Sequence, residues 1–511
     1  MSFRSFLLLI LLLNYTQCAN ILAIFNAPSK SNIILGVKLA EGLIKRGHHV
    51  TMASPFVSDP VDGLTQLHLK TIYDYREKLY RANAITTMNP FNIVKIMIQY
   101  WTEVSDLFWE EPAIQKIIEE KPKFDVVITF SVFTDAISGL AYHLGVPSIF
   151  FSPVGSNNLV NYYVANPNMV YVPNMMFPAT SNTFLARLYT VTANIGMHLM
   201  AEFFITPYQR DLLKKYLPDC PSLEDLQKNV SLMLMNSHFS IESPRPHVPN
   251  AIQIGGFHLD QTKELPEDIK NFLDSAKQGA ILFSMGTNVN VAIFGEEKLK
   301  AIFKVLGELA PMRVLFKSEM EHKNAPDNVM VKKWLPQADI LAHPNMRAFI
   351  SHGGLGGNTE SVYHGVPMVG IPFYGDQRMN IQVAKSAGYA VGLDYEHLTE
   401  DLFRSKINEI LENPRYGENA KKRSALIKGQ LIKPMDNAAF WIEHIIKYGS
   451  GSHLRNDGMD LSWYQLYMVD IYLFYTVFLC LISFITYKTM KVSYRFLRRI
   501  CSKNPVKQKK S

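Results

Sequence analysis

Short apolar runs alternate along this chain with longer stretches in which apolar residues recur every three or four positions. In the first half, such runs predict buried strands at 21–25, 49–53, 126–129 and 148–151, with helical patterns at 33–46 and about 134–144. Strands that alternate with helices build a parallel sheet covered by helices on both faces. We therefore predict a Rossmann-like half in this part of the chain.

The same alternation begins again after a proline-bearing linker at residues 243–250. It predicts strands at 281–284, 313–316, 330–332, 348–350 and 368–372, with helices at about 297–309 and from about Asn358. The predicted fold class is therefore α/β with two Rossmann-like domains, at residues 20–245 and 246–465. No sequence repeat relates the two halves.

One region of the first half interrupts the alternation. Residues from about 90 to 119, and again from 167 to 216, have a helical pattern and are rich in Met and aromatic side chains. Such apolar surface is typical of a core, and it is also typical of a pocket for a lipophilic ligand. We favour a core position for any single residue, and we favour a ligand pocket as the role of the region as a whole.

The first 19 residues have the pattern of a secretory signal peptide. Arg4 precedes an apolar run at 6–13 that is too short to span a bilayer, and small residues lie near Cys18 and Ala19. Cleavage near Ala19 would leave Asn20 as the first residue. The alternative, a first buried strand, is already provided by 21–25.

Near the other end, residues 471–487 are uncharged and rich in Leu, Ile, Phe and Tyr, which predicts a transmembrane helix within residues 466–487. Residues 488–511 carry nine Lys or Arg and no acid, so the positive-inside rule places this tail in the cytosol and the body in the lumen. A buried core helix is the alternative. The basic tail argues against it.

The tail also accounts for the basic character of the chain. The formal net charge is +7 and the pI about 8.9, yet the body without the tail cations and Arg4 carries about −3. Nucleic-acid binding therefore has no support. Lys507 and Lys509 resemble a dilysine retrieval signal, with simple attraction to the membrane surface as the alternative. The predicted location is the endoplasmic reticulum membrane, as a single-pass type I protein.

The four cysteines fall in four different predicted segments, at Cys18, Cys220, Cys480 and Cys501. The lumenal body then has one cysteine, which excludes an internal disulfide and a cysteine metal site there. Asn229 begins the sequon Asn-Val-Ser and is a candidate glycosylation site in that compartment.

Residues 334–380 bring together, in order, the groups needed to hold a nucleotide diphosphate-sugar. Trp334 offers an indole that can stack on a base, and Gln337 can reach a pyrimidine edge or a ribose. Glu360 can accept from ribose hydroxyls. Asp376 and Gln377 follow a predicted strand and suit the hydroxyls of a sugar.

The phosphate position lies between these groups. His352 follows the end of a predicted strand, where ligands bind in parallel sheets, and can donate to a phosphate oxygen. The glycines after it let the backbone approach a phosphate, and the helix that begins there offers free N–H groups; these residues are Gly354, Gly356, Gly357 and Asn358. The glycines alone would equally suit an ordinary strand-turn-helix. The whole ordered set favours a donor site.

This segment resembles the signature of the UDP-glycosyltransferase family, whose animal members include UDP-glucuronosyltransferases. The resemblance extends to P-R-P-H-V-P-N at 244–250, G-G-F-H at 255–258, F-S-M-G-T at 283–287, which adds Ser284 to the donor set, and S-K-S-N near the amino end. It implies the GT-B architecture, in which two Rossmann-like domains face a cleft. The acceptor binds the first domain, the UDP-sugar binds the second, and residues 430–460 lie back toward the first. It also implies that no metal or other cofactor is used.

The chain departs from this family where a base is needed. Family members have a His in the first βα loop that takes the acceptor proton, and a carboxylate at a nearby strand end that orients it. Here Asn32 stands at the His position and Phe130 at the carboxylate position. An amide cannot serve as a general base at neutral pH. A loop shift that brings Asp135 into the carboxylate role is the alternative. In the donor half, Gly356 and Gly357 stand where relatives often have Asn, Ser or Thr.

These features predict a UDP-glycosyltransferase that transfers a hexose to small lipophilic acceptors with inversion. UDP-glucose is favoured as donor and UDP-glucuronic acid is possible. Amines or acidic phenols suit Asn32 because they need less help in losing a proton. The alternative is a non-catalytic protein that binds UDP-sugar or a lipophile without a catalytic base. A nicotinamide enzyme is excluded because Thr359 occupies the sixth position of the G-x-G-x-x-G pattern. The expected partners are the donor, the acceptor and the membrane, with homo- or hetero-oligomers possible.

Overall fold

The computed structural model describes residues 18–81, 90–130, 133–173, 183–259 and 262–503. The strands are β1 (Asn20–Phe25), β2 (His49–Ser54), β3 (Leu64–His68), β4 (Val126–Phe130), β5 (Ser148–Ser152), β6 (Val230–Met235), β7 (Ala251–Gln253), β8 (Ala280–Ser284), β9 (Arg313–Lys317), β10 (Val329–Lys332), β11 (Met346–Ser351), β12 (Met368–Gly370) and β13 (Ala390–Gly392).

The α-helices are α1 (Lys30–Ile44), α2 (Lys70–Arg81), α3 (Pro90–Glu110), α4 (Pro112–Glu120), α5 (Gly139–His143), α6 (Phe184–Met200), α7 (Thr206–Tyr216), α8 (Leu223–Lys228), α9 (Glu267–Asp274), α10 (Gly295–Glu308), α11 (Gln337–Leu341), α12 (Leu355–His364), α13 (Gln377–Ser386), α14 (Glu400–Glu412), α15 (Pro414–Lys428), α16 (Pro434–Tyr448), α17 (Trp463–Leu466) and α18 (Val469–Lys503). One π-helical turn, Ala201–Ile205, joins α6 to α7.

Two parallel sheets organise the residues before 456. The first has the order β3-β2-β1-β4-β5-β6-β7 and the second the order β10-β9-β8-β11-β12-β13. Strands buried on both faces, such as β1, β4 and β8, read as continuous apolar runs, which is why the sequence pattern located them. In each sheet the strand order reverses at one point, between β1 and β4 and between β8 and β11. Ligands bind at such switch points.

Apolar clusters cover both faces of each sheet. On one face of the first sheet, α1 packs with α16 through Leu39, Leu43, Ile442 and Ile445, so α16 returns to the first half as the resemblance implies. Arg46 Nε and His48 Nε2 both contact Glu443 of α16, at 2.7 and 3.2 Å. The predicted two-domain GT-B architecture is confirmed.

The predicted boundary at residues 245 and 246 is wrong. β7 lies after that boundary, yet it pairs with β6 as the edge strand of the first sheet. The reason is that the proline-bearing linker runs between two strands of one sheet instead of between two domains. Ile254 and Phe257 also pack in the core of the first sheet.

Some element ends also differ from the prediction. The helix expected from Asn358 begins at Leu355, and the strand expected to reach 372 ends at Gly370. Of the helical pattern predicted from 167, the described residues become α-helical at Phe184. The predicted signal peptide lies outside the described residues except for Cys18 and Ala19. Ala19 is buried, and its N–H donates to His48 Nδ1 at 3.3 Å, so the folded body includes it.

The described residues from Asn456 to Lys503 form a separate compact unit. Its main element is α18, a continuous helix of 35 residues that contains the predicted span 471–487. Over Val469–Ile500 it is long and apolar enough to cross a membrane. The helix continues to Lys503, so the first part of the basic tail is helical. Lys507 and Lys509 lie outside the described residues.

Candidate functional site

Two serines end the neighbouring strands at the switch point of the second sheet. Ser284 of β8 and Ser351 of β11 are register partners, and both are buried. Each hydroxyl accepts a hydrogen bond from a glycine N–H two residues on, Ser284 from Gly286 at 3.3 Å and Ser351 from Gly353 at 3.2 Å. The predicted donor residue Ser284 therefore shapes its own loop, and its O–H remains able to donate.

His352 lies in a slot formed by two glycines. A Cβ atom added to Gly286 would lie 2.6 Å from His352 Cε1, and one added to Gly354 would lie 2.5 Å from His352 Nε2. Gly286 also has a φ of 73°, which disfavours any side chain there. The two glycines thus fix the imidazole between the loop after β8 and the start of α12.

The imidazole is neutral near pH 7. Burial lowers the pKa of His352 to about 4, and the positive charge of Lys317 contributes. A neutral imidazole has one N–H, which suits a single hydrogen bond to a phosphate oxygen but supplies no positive charge. His352 is therefore a hydrogen-bond donor, and charge neutralisation has to come from elsewhere.

The start of α12 provides part of that neutralisation. Gly354 precedes the first turn, and the Leu355 N–H donates to the carboxylate of Asp376. The first turn of a helix has N–H groups without intrahelical acceptors, so those of Gly356 and Gly357 remain for an anion. A Cβ at Gly356 would meet open space, so a small side chain would fit there.

Two of the three residues predicted for uridine are in direct contact. Gln337 Nε2 donates to Glu360 Oε2 at 2.5 Å, across α11 and α12. Burial raises the pKa of Glu360 to about 7, while the Gln337 bond opposes the shift. The structure thus brings together an amide and a carboxyl group that can both reach a nucleoside.

Trp334 lies three residues before Gln337, half exposed in the loop before α11. Lys30 Nζ lies 4.2 Å from the centre of its indole ring. Lys30 is the first residue of α1 and therefore belongs to the other half of the body. The predicted stacking residue is accessible, and one face of it contacts a cation from across the cleft.

Asp376 contacts the start of α12, and Gln377 is the first residue of α13. Asn380 donates to Asp376 Oδ2 at 2.7 Å and to the Gly353 carbonyl at 3.0 Å. Gln377 Oε1 accepts the N–H groups of Phe373 and Tyr374, at 2.8 and 3.2 Å. Since its oxygen is engaged twice, Gln377 has its amide N–H groups to offer a sugar. Burial raises the pKa of Asp376.

The prediction that Asn358 adds a ligand contact is wrong. Its side chain is fully buried on the inner face of α12, and its Oδ1 accepts from the Tyr389 hydroxyl at 3.0 Å. The error follows from helix geometry, because α12 begins three residues earlier than predicted and turns position 358 toward the core.

The acceptor edge of the first sheet has different side chains at its switch point. Asn32 lies in the first turn of α1 and is partly exposed, and Phe130 ends β4 and is buried, with Phe25 as its register partner. The structure therefore places an amide at position 32 and a phenyl ring at position 130, where the resemblance expects an imidazole and a carboxylate.

Asp135 does not take over the carboxylate role. It lies in the 3-10 turn after β4, where it accepts a hydrogen bond from Tyr163 and interacts with Gln227. Burial raises the pKa of Asp135 to about 7. These partners hold its side chain toward β5 and β6, so the loop-shift alternative is wrong.

Sequence reasoning missed a group of cations at the cleft. Partial desolvation lowers the pKa of Lys30, and the charges of Lys317 and Arg76 lower it further. Arg76 also donates to the Thr287 carbonyl at 3.2 Å, and Asn288 donates to Ser29 Oγ at 2.9 Å, so both halves meet here. Lys30 is the lysine inside S-K-S-N, and that motif was a signal that could have identified it as a cleft residue.

The apolar helical region divides into two parts. Val104, Phe108 and Trp109 of α3 are fully buried, which confirms core for these residues. The hollow beside α6 is lined mainly by polar side chains, including Asn157, Asn168 and Arg245.

Asn229 is exposed at the end of α8, as a glycosylation site requires.

Comparison with known proteins gives one consistent result. A family model described as UDP-glucoronosyl and UDP-glucosyl transferase matches residues 24–504. UDP-glucosyltransferase 2 of Dactylopius coccus is 32% identical over 503 residues, with 95% of each chain covered. UDP-glucuronosyltransferase 2C1 of Oryctolagus cuniculus is 29% identical, with 91% of this chain and 95% of the relative covered.

A solved structure shows the same fold. The UDP-glucose: anthocyanidin 3-O-glucosyltransferase in complex with UDP has a TM-score of 0.57 to this chain, with 84% of this chain and 98% of that one covered. The sequence identity is 15%, so this similarity concerns the fold alone.

Proposed function

Since this chain belongs to the UDP-glucuronosyl and UDP-glucosyl transferase family, we propose that it transfers a hexose to small lipophilic acceptors with inversion, with UDP-glucose favoured as donor. Family membership establishes sugar transfer from a UDP-sugar, and it does not favour a non-catalytic binding protein. UDP-glucuronic acid is the second candidate donor, because relatives of both kinds resemble the chain.

The observation that carries the proposal is the donor cradle, by which we mean Trp334, Gln337, His352, Glu360 and the first turn of α12. In the proposed complex the uracil stacks on Trp334, and Gln337 with Glu360 holds the nucleoside. The diphosphate lies at the start of α12, where His352 and backbone N–H groups donate to it. Asp376 and Gln377 orient the hexose.

In the proposed reaction the acceptor atom attacks the anomeric carbon from the side opposite the diphosphate. A bond forms between that atom and the carbon while the bond from the carbon to the phosphate oxygen breaks, and UDP leaves with the electron pair. Oriented N–H donors stabilise the charge that develops on the leaving oxygen. No step requires a metal.

The acceptor class follows from Asn32 and Phe130. An alcohol has to lose its proton during attack, and neither residue can accept it. An amine attacks through its lone pair and loses a proton to water after the bond has formed, and an acidic phenol has already lost its proton to water in part. We propose amines and acidic phenols as acceptors.

A screen of donors against acceptors on the membrane-inserted full chain tests the proposal. We expect turnover of an aromatic amine and a nitrophenol with UDP-glucose, and turnover at least tenfold slower with an aliphatic alcohol. Equal rates for amines and alcohols would contradict the acceptor class. UDP binding without turnover of any acceptor would favour the non-catalytic alternative.

We propose further that α18 anchors the protein in the endoplasmic reticulum membrane, with the body in the lumen and the basic tail in the cytosol. Its support is the apolar length of the helix and the cations that follow. Glycosylation of Asn229 would place the body on the lumenal side of the membrane. The simplest check is a gel shift that the parent protein shows and the Asn229→Gln variant does not.

A further inference from the structure

The carboxyl-terminal turns of α18 have two chemically opposite sides. After the uncharged residues 471–487, cations recur at intervals of three, four, three and one. They are Lys488, Lys491, Arg495, Arg498 and Arg499. Because each residue of an α-helix advances about 100°, these intervals keep all five cations within an arc of about 100°. The cations therefore form one stripe, which we call the basic side of α18.

Large apolar side chains occupy the other side of the same turns. The centre of this apolar side lies roughly 170° around the helix axis from the centre of the basic side. Val492 is the exception, because it lies beside the basic stripe. No acidic residue occurs from 488 to 511. The members of the apolar side, all of them exposed, are Met490, Tyr494, Phe496, Leu497 and Ile500.

These turns lie beyond the segment that fills a bilayer core. Residues 471–487 form about 26 Å of helix, which matches a core of about 27 Å, so residues 490–500 lie past it on the cytosolic side. A helix that stands upright in water has the same solvent on every side, and nothing there favours two opposite sides. The sidedness of α18 therefore indicates surroundings that differ across the helix.

We propose that residues 488–500 of α18 lie along the cytosolic surface of the bilayer and bind anionic phospholipid headgroups through the basic side. The apolar side then sinks toward the acyl chains, as in other helices that rest in the membrane interface. The cations reach the phosphate groups of the lipids, because cytosolic leaflets carry negative lipids that attract Lys and Arg next to a transmembrane helix.

Continuity with the proposed span selects lipid as the occupant. The basic side begins at Lys488, directly after residues 471–487, so the bilayer is present at high effective concentration. No Gly or Pro interrupts α18, so a tilt of the whole helix, rather than a break, brings one side of its last turns to the surface. The inference rests on the proposed membrane anchor and is independent of the proposed reaction.

Photolabelling of the full chain in nanodiscs tests the contact. One set of discs is phosphatidylcholine and the other is an equal mixture of phosphatidylcholine and phosphatidylserine. Both contain a trace of phosphatidylcholine with a diazirine in its acyl chain, and tandem mass spectrometry locates the label. We expect label in 471–487 in both sets. In 490–500 we expect at least fivefold more label in the phosphatidylserine discs.

Three other results contradict the proposal in different ways. Label in 471–487 that does not extend past 489 in phosphatidylserine discs overturns it while the anchor stands. Equal label of 490–500 in both sets of discs removes the anionic headgroup as the ligand. Absence of label from both segments overturns the anchor and the proposal together.

A variant with unchanged composition separates sidedness from net charge. M490K/K491M/L497R/R498L exchanges apolar and basic neighbours, so the two sides are mixed while charge and length are kept. We expect its label in 490–500 to fall at least fivefold in phosphatidylserine discs, with label in 471–487 unchanged. Parent-like label in 490–500 would mean that net charge alone attracts the segment, and it would overturn the proposal.

The matched control is F496L/L497F, which exchanges two residues within the apolar side and should keep the parent label. Equal thermal unfolding temperatures show that the body of each variant folds. A second copy of the chain is the other candidate occupant, and mass photometry counts the copies in each disc. Label in 490–500 that disappears in discs with two copies would assign the apolar side to a contact between copies and overturn the proposal.

Discussion

The two sheets share the same kind of strand reversal at their switch points, but the side chains there differ in their chemistry. At the second, between β8 and β11, several predicted donor residues contact one another, from the Gln337–Glu360 bond to the glycine slot around His352. At the first, between β1 and β4, Asn32 and Phe130 stand at the positions of the expected dyad. The residues of the proposed donor cradle therefore contact one another, while the positions of the expected dyad hold an amide and a phenyl ring.

This difference shows that the two ends of the reaction place separate demands on the sequence. Donor recognition needs many groups that support each other, so a change to one disturbs the others. The acceptor base is a small, local feature, and its loss leaves the fold intact. Predictions that act on one switch point and not the other test this separation.

The largest effect is expected at the acceptor edge. Asn32→His supplies an imidazole in the first turn of α1, and we expect alcohol transfer to rise by about 10² to 10⁴ fold, the usual contribution of a general base. Rates with a panel of alcohols measure it. The gain should appear as pH rises through the pKa of the new histidine, since the neutral form is the base.

Amine transfer by Asn32→His should change little, and UDP affinity should stay within twofold. A variant that folds, binds UDP and gains no alcohol activity at any pH would show that Asn32 is not at the base position.

The next effect is expected in the donor cradle. Gly354→Ala places a methyl group 2.5 Å from His352 Nε2, so the imidazole has to move, and we expect the Kd for UDP to rise by about tenfold or more, equal to at least about 1.4 kcal/mol. Calorimetry with UDP measures it.

Gly356→Ala is the matched control because its methyl group meets open space within 4 Å. The Kd of this variant should stay within twofold of the parent value. Equal losses in both variants would place the phosphate against position 356 and remove the argument for the slot.

A smaller effect is expected from pH. The raised pKa of Glu360, about 7, means that this carboxyl group gains its charge between pH 6 and 8, and the ionised form is the better acceptor for ribose hydroxyls. Uridine affinity should therefore increase by up to about tenfold over that range. His352, with a pKa of about 4, stays neutral throughout.

Uridine is the ligand of choice here because it has no phosphate that titrates. Glu360→Gln should make its affinity independent of pH. A parent protein with a flat profile, or a variant that keeps the slope, would exclude Glu360 from nucleoside binding.

The smallest effect is expected from the cation that joins the two regions. Lys30→Met removes the positive charge that lies over Trp334 and that we expect to attract the diphosphate. UDP should therefore bind about fivefold more weakly, a loss of about 1 kcal/mol in binding free energy. Uridine should bind equally well or better, because the indole face is freed.

The split between UDP and uridine separates two roles of Lys30. Tighter binding of both ligands would mean that the lysine only occludes Trp334. Lys38→Met is the control, because Lys38 pairs with Glu41 on the same helix.

Much of the fold followed from the sequence because fully buried strands produce continuous apolar runs. The strands β1, β4, β5, β8 and β9 were located to within one residue for this reason. The sequence pattern missed the short or edge strands β3, β7 and β13 and also the buried β6. Because β7 was missed, the domain boundary was set too early. The local sequence pattern also did not predict that α12 begins at Leu355.

The candidate site divides in the same way. Residue types at fixed spacing were enough to select Trp334, His352 and Glu360, because a nucleotide site needs those chemical groups in that order. Asn358 was selected by the same logic and is buried, since orientation on a helix depends on a start that the sequence marks poorly. The sequence also showed that Asn32 and Phe130 depart from the expected dyad.

The amino-acid sequence by itself determined the class of fold and the family, and it placed Asn32 and Phe130 at the positions of the expected dyad, because each depends on residue identity and short-range order. The tertiary structure alone decided which groups meet: the slot of Gly286 and Gly354 around His352, and Lys30 on Trp334 from the opposite half. These contacts join residues far apart in the chain, and packing in three dimensions sets them.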